Sequence, residues 1–144
     1  MGRRQSREVA FKTLFQKEQG GVDPEKALQF CLLENPLSEK DKLFAEQLIK
    51  GTLSHLDNID SIISRHLIKW DLKRLAAVDR AVLRLALYEL IYLPEIPAAV
   101  TINEAVELTK KFQDEDSANF INGILDRIRK DLYLSSNLKD RPIP

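Results

Sequence analysis

Apolar residues recur along this chain at intervals of three and four, and sustained alternation is absent. That spacing predicts helices, and no two-residue hairpin signal argues for strands. From roughly residue 4 to residue 19, Ala10, Phe11, Leu14 and Phe15 fall on one side, and Gly20-Gly21 stops the run. Asp23 is a cap for the next helix, and Pro24 sits at its first position, where a missing N–H costs nothing. Asn35-Pro36 ends it. Ser38 then caps a long segment whose apolar face runs through Leu43, Phe44, Leu48, Leu53, Leu56, Ile59, Ile62, Ile63 and Leu67. Gly51 lies inside that segment, as either a close backbone approach or a tolerated flexible position. Trp70 reads as the core anchor of a helix–helix junction, and Asp71 as the cap of a short helix.

The greasiest segment is "VDRAVLRLALYELIYLPEIPAAVTINEA", residues 78–105. On a helical wheel Arg80, Arg84, Tyr88 and Tyr92 form one narrow stripe, and apolar side chains fill most of the rest. Such a helix is buried by neighbours on several sides, at the centre of a bundle. Pro94 and Pro97 forbid its continuation. Thr101 and Glu104 match a T-x-x-E capping box, so the next helix is predicted from Thr101 to about Phe112. The last helix starts in the acidic run Asp114, Glu115 and Asp116, where the dipole favours negative charge. Its buried stripe is Phe120, Ile121, Ile124, Leu125, Ile128 and Leu132, and Gly123 suggests close packing. The pattern is that of an all-α protein of about seven helices, a single domain over residues 1–132. Residues 133–144 read as a frayed tail with weak periodicity.

Composition narrows the function. A chain of 144 residues, 44% hydrophobic and 31% charged, can bury a core without staples. Cys31 is the single cysteine, so no internal disulfide forms, and it reads as a small buried hydrophobe. His55 and His66 lie three helical turns apart, too far to share an ion. Arg80, Arg84 and Glu89 interrupt the most apolar stretch before it reaches membrane-spanning length. There is no phosphate loop, nucleophile elbow or zincin motif. The reading is a soluble, cytoplasmic, non-enzymatic protein with no cofactor.

Binding remains. Net charge is +0, which counts against a stand-alone nucleic-acid binder. The charge is uneven, however: Arg3, Arg4, Arg7, Lys12 and Lys17 face only Glu8 in the first 17 residues. Spacing alone leaves Arg3, Arg4 and Arg7 as either phosphate ligands or a basic end with no partner. The start of the last helix is a second candidate, with Ser117, Asn119 and Asn122. Phe120 there would stack a base if exposed, although its spacing favours the core.

Four segments resemble a known family. "RRQSREVAFKTLFQ", "KWDLKRLAAVDRAVLRLALYEL", "IPAAVTINEAVELTKKF" and "DSANFINGILDRI" are similar, in this order, to signatures of the NusB family of bacterial transcription antitermination factors. The resemblance covers about residues 3–130. A similar helical domain occurs fused to an RNA methyltransferase, but this sequence has no methyl-donor loop, so the free-standing factor is expected. The resemblance implies two packed three-helix bundles around a central buried helix. It implies binding of boxA-type single-stranded RNA jointly with NusE, a small-subunit ribosomal protein. It further implies entry into the RNA polymerase antitermination complex and suppression of termination in ribosomal RNA operons. On the matching positions, Arg3, Arg4 and Arg7 are phosphate contacts, and Phe15 stands where many relatives have Tyr. Asp116, Ser117, Asn119 and Phe120 fall on a second RNA-contacting patch, with Asn119 where many relatives carry a basic residue. Asp79, Arg80 and Arg84 fall on the NusE-facing surface. Some members form homodimers, and a helical adaptor that binds only proteins is the rival reading.

Overall fold

The computed structural model describes residues 2–68 and 71–135, all helices and connections, with no strand among them. The helices are α1 (Gly2–Gly20), α2 (Pro24–Glu34), α3 (Glu39–Ser54), α4 (Leu56–Arg65), α5 (Ala77–Tyr92), α6 (Ala98–Phe112) and α7 (Glu115–Ser135). A short 3-10 turn, Leu72–Arg74, precedes α5. The chain divides into two compact units, Met1–His55 and Leu56–Pro144.

In the first unit α1 packs on both α2 and α3. Val9, Ala10, Phe11, Thr13 and Leu14 of α1 are buried, as are Ala27, Leu28 and Cys31 of α2 and Phe44, Ala45, Leu48 and Ile49 of α3. Burial raises the Cys31 thiol above its ordinary pKa, and a hydrogen bond with Thr13 partly opposes the rise. The boundaries follow local chemistry. Gly21 adopts φ +64 and its N–H donates to the Lys17 carbonyl at 2.9 Å, a left-handed helix stop that a Cβ would disfavour. Asp23 accepts from the Lys26 N–H, with Pro24 opening α2, and Ser38 accepts from the Asp41 N–H at 3.2 Å. The Ser6 hydroxyl donates to the Asp41 carbonyl at 2.8 Å, so the start of α1 is tied to the start of α3.

The long segment after Ser38 is two helices. It breaks at His55, whose N–H donates to the Gly51 carbonyl at 3.2 Å, and the boundary between units falls there. Phe44, Leu48, Ile59, Ile62 and Ile63 are buried as the stripe predicted, but Leu43 is exposed. The five-residue step from Leu48 to Leu53 marks where one continuous face fails.

Among the described residues the second unit holds the α-helices α4 to α7. α5 is its hub: α4, α6 and α7 all pack on it, and Ala81 to Leu83 and Leu85 to Leu90 are buried. This is the observed form of the helix that the sequence placed at the centre of a bundle. α5 ends at Tyr92, and α6 starts at Ala98 behind Pro97, so the two prolines make the sharp exit. The capping box does not form. Thr101 lies inside α6, buried, and its hydroxyl donates to Oε1 of Glu89 at 3.1 Å. Glu89 is only 2% exposed, so that donor is worth more to the fold than a cap at the surface.

Asp114 caps α7, accepting the Ser117 N–H at 2.7 Å. Ile121, Ile124, Leu125 and Ile128 are fully buried, while Phe120 and Leu132 are half-buried. A Cβ on Gly123 would meet only the tip of Arg127 on its own helix, so Gly123 marks no close approach of another element. α7 runs on through Ser135, past the expected boundary at residue 132. The rest of the expected tail, residues 136–144, and the expected anchor Trp70 lie outside the described residues.

Candidate nucleic-acid interface

The basic end is helical from Gly2, not an extended arm, so its arginines have fixed directions. Arg3 and Arg4 are exposed, whereas Arg7 is 4% exposed. Arg3 and Arg7 are four apart, one above the other on α1, and both lie over the ring of Phe44 from α3. The guanidinium carbons are 4.3 Å and 5.6 Å from the ring centroid. A cation over an aromatic face is attracted by the ring quadrupole and loses rotamer freedom before any ligand arrives. Phe44 thus preorganises part of the basic face. Its periodicity marked it only as core, because the contact joins residues distant in sequence. Further along α1, Phe15 is half-buried beside Phe11, with ring centroids 6.0 Å apart.

The second patch lies at the start of α7, in the other unit. Asp116 and Asn119 are exposed, and Ser117 and Phe120 are half-buried. Phe120 is therefore not enclosed as fully as core spacing would have it. The free N–H groups of the first turn and the helix dipole favour an acceptor here, although Asp114 already takes one of those donors.

The expected partner edge on α5 is largely engaged within its own unit. Arg80 donates to the carbonyls of Leu75 at 2.9 Å and Leu72 at 3.2 Å, closing the 3-10 turn onto α5. Arg84 makes a two-bond fork with Asp60 of α4, Nε to Oδ1 at 2.8 Å and Nη2 to Oδ2 at 2.9 Å. Both arginines are half-buried. Asp79, in the first turn of α5, is 7% exposed and hydrogen-bonded by Ser117. Burial raises its carboxyl above the ordinary value, Ser117 pulls it down, and the charge of Asp114 pushes it up. Its Oδ1 has no hydrogen-bond partner among the described residues. The fold therefore joins Asp79, a residue of the expected partner edge, to Ser117, a residue of the expected RNA patch. No sequence signal connects positions so far apart.

Among the described residues no group of His, Cys, Asp and Glu could hold a metal ion, and no helix is long and apolar enough to cross a membrane.

Comparison with known proteins adds the following. The family model of the NusB family matches residues 4–130. The chain is 46% identical over 132 residues to the transcription antitermination protein NusB of Bacillus licheniformis, covering 92% of this chain and 99% of that protein. Its fold matches NusB of T. maritima with a TM-score of 0.84 at 47% identity, covering 91% of this chain and 92% of that one. It also matches a chain from a crystal structure of the antitermination factors NusB and NusE in complex with dsRNA. There the TM-score is 0.83 at 32% identity, covering 89% of this chain and 96% of that one.

Proposed function

The chain belongs to the NusB family, and from that premise we propose that it is a non-enzymatic antitermination factor that binds boxA-type RNA together with NusE. The observation that carries this reading is likeness over nearly the full length to NusB proteins, one of them solved with NusE and RNA. In this role it joins the RNA polymerase antitermination complex in the cytoplasm and suppresses termination, notably in ribosomal RNA operons.

The work is divided between two surfaces. Arg3 and Arg4 of α1 attract phosphates, with Arg3 held in place by Phe44. Arg7 is mostly spent on packing and contributes through its field and its support of the same face. Phe15 offers a half-open ring and, lacking a hydroxyl, acts by packing. On α7, Asn119 has a donor and an acceptor for a base edge, Asp116 accepts from base N–H groups, and Phe120 supplies a ring for stacking. Asp116 also repels phosphates, so this patch suits bases more than backbone.

NusE meets the beginning of α5. Arg80 and Arg84 hold that surface in shape through their internal bonds, and Asp79 lies beneath it against Ser117. Because a neutral protein supplies few phosphate contacts, RNA binding by the chain alone is weak, and NusE adds the missing contacts. The test is a titration of labelled boxA RNA with and without NusE. Tighter binding with NusE is expected. Equal affinities would overturn the joint reading, and NusE binding with no RNA binding under either condition would leave a protein-only adaptor. A homodimer that covers the RNA surface would appear as concentration-dependent mass in light scattering.

A further inference from the structure

We propose that the cleft between α6 and α7 is a base-reading subsite, which takes one unstacked nucleobase of the bound RNA by its polar edge. The proposal rests on the RNA-binding reading and extends it to a surface that shares only Asn119 with the patch of Asp116, Ser117, Asn119 and Phe120.

The cleft has a volume of about 370 Å³, within the range of roughly 300–1,000 Å³ usual for small-ligand sites. Three exposed amides line it: Asn103 from α6, and Asn119 and Asn122 from α7. Asn119 and Asn122 are three apart and so share one face of α7, and Asn103 comes from the helix packed against it. Each amide presents a donor beside an acceptor, the arrangement that pairs with two neighbouring atoms of a base edge. Ile102 and Val106 of α6 add apolar surface against which a ring face can pack.

Charge selects the base over the phosphate. The cleft's cations, Lys110 and Arg129, are matched by Glu115 and Asp126. They are also already paired: Lys110 with Glu107 at 3.6 Å, and Arg129 with Asp126 at 2.6 Å. Arg129 and then Lys130 hold the Asp126 carboxyl below its ordinary range, so that acid stays ionised and committed. The neutral amides, beside the one Arg129 donor, Nη1, that is buried with no partner among the described residues, are left to do the recognition. Asn119 gives the link to RNA rather than to a peptide, because it belongs both to this cleft and to the patch at the start of α7.

The experiment is an abasic scan in the presence of NusE. Labelled boxA RNAs, each lacking one base, are titrated against the wild type and against Asn103→Ala and Asn122→Ala, with Asn122→Ser as a milder truncation should either unfold. Each variant is expected to weaken binding of the intact RNA about tenfold, with an unchanged slope of log affinity against log salt. The loss from one particular abasic position in the wild type should disappear in the variants, since the two changes remove the same contact. Unchanged affinity, additive losses at every position, or a flattened salt slope would overturn the proposal. So would weaker binding of NusE by the variants in the absence of RNA. A wild type that binds no RNA overturns the RNA-binding reading and this inference with it. A wild type that binds RNA without this coupling overturns the inference alone.

Discussion

Phe44 is the residue whose role changed most between pattern and structure. The spacing assigned it to the core, and it is buried, but its ring also carries Arg3 and Arg7. Phe44→Leu keeps an apolar side chain and removes the aromatic face. RNA affinity is expected to fall by a few-fold, corresponding to about 0.5–1 kcal/mol for a partly exposed cation over a ring. Fluorescence anisotropy on a variant shown to be folded by circular dichroism checks this, and unchanged affinity would remove Phe44 from the interface. Asp79 supports a second prediction. Its carboxyl is raised in the folded state, chiefly by burial, so between the unfolded and folded values the folded protein binds more protons. This group's contribution therefore falls as pH rises through that window, and ionised Asp79 is a cost at neutral pH. Asp79→Asn retains an acceptor for Ser117 and is expected to raise the melting temperature near pH 7, with the gain shrinking as pH falls below the folded value. Thermal melts across that range decide it, and a gain that grew with acid would contradict the assigned cause.

At the scale of elements, caps and stops follow short-range chemistry, while buried polar ties cross between helices. Gly21 ends α1 in the left-handed region. Gly21→Ala should cost about 1–2 kcal/mol, read as a lower urea midpoint, and no loss would mean that the turn rearranges freely. Thr101 illustrates the opposite case. Its T-x-x-E spacing fits a capping box, yet Pro97 already ends the preceding turn and lets α6 begin at Ala98. Thr101 is thus carried one turn into the helix, where Glu89 needs a donor in a buried site. Thr101→Val should destabilise the protein by roughly 1–3 kcal/mol by removing a donor from a buried carboxylate. Equilibrium unfolding measures it, and a neutral result would mean that the remaining partners of Glu89 suffice.

For the whole molecule, the proposed RNA binding combines zero net charge with a basic first helix. If Arg3 and Arg4 contact phosphates, at about 0.7 each for a single strand, the salt slope of the protein alone should be roughly −1.4, with a smaller addition from the field of the nearly buried Arg7. Arg3→Ala and Arg4→Ala should each reduce its size by about 0.7, while Arg7→Ala should reduce it less, because that side chain is nearly buried. Titrations at several salt concentrations test this, and a slope unaffected by Arg3→Ala and Arg4→Ala would mean that the basic end does not contact the RNA.

Much of this protein was determined by the sequence itself, because helices are encoded at short range. The spacing of Ala10 to Leu14 and of Ile121 to Ile128, the caps Asp23 and Ser38, the acidic start of the last helix at Asp114, and the break at Pro94 and Pro97 each depend on residues within a turn or two. The hub character of α5 was legible for the same reason: a helix apolar on most sides has to be surrounded. The similarity of four ordered segments indicated the family, and the comparisons support it over residues 4–130. What only the tertiary structure decided is which polar groups meet. Arg3 and Arg7 on Phe44, Arg84 on Asp60, Thr101 on Glu89 and Asp79 against Ser117 join positions 12 to 41 residues apart in the chain. The amide-lined cleft likewise exists only because α6 and α7 pack side by side. Periodicity states that a side chain faces inward or outward, and the partner waiting there is set by the packing of helices that the local pattern does not specify.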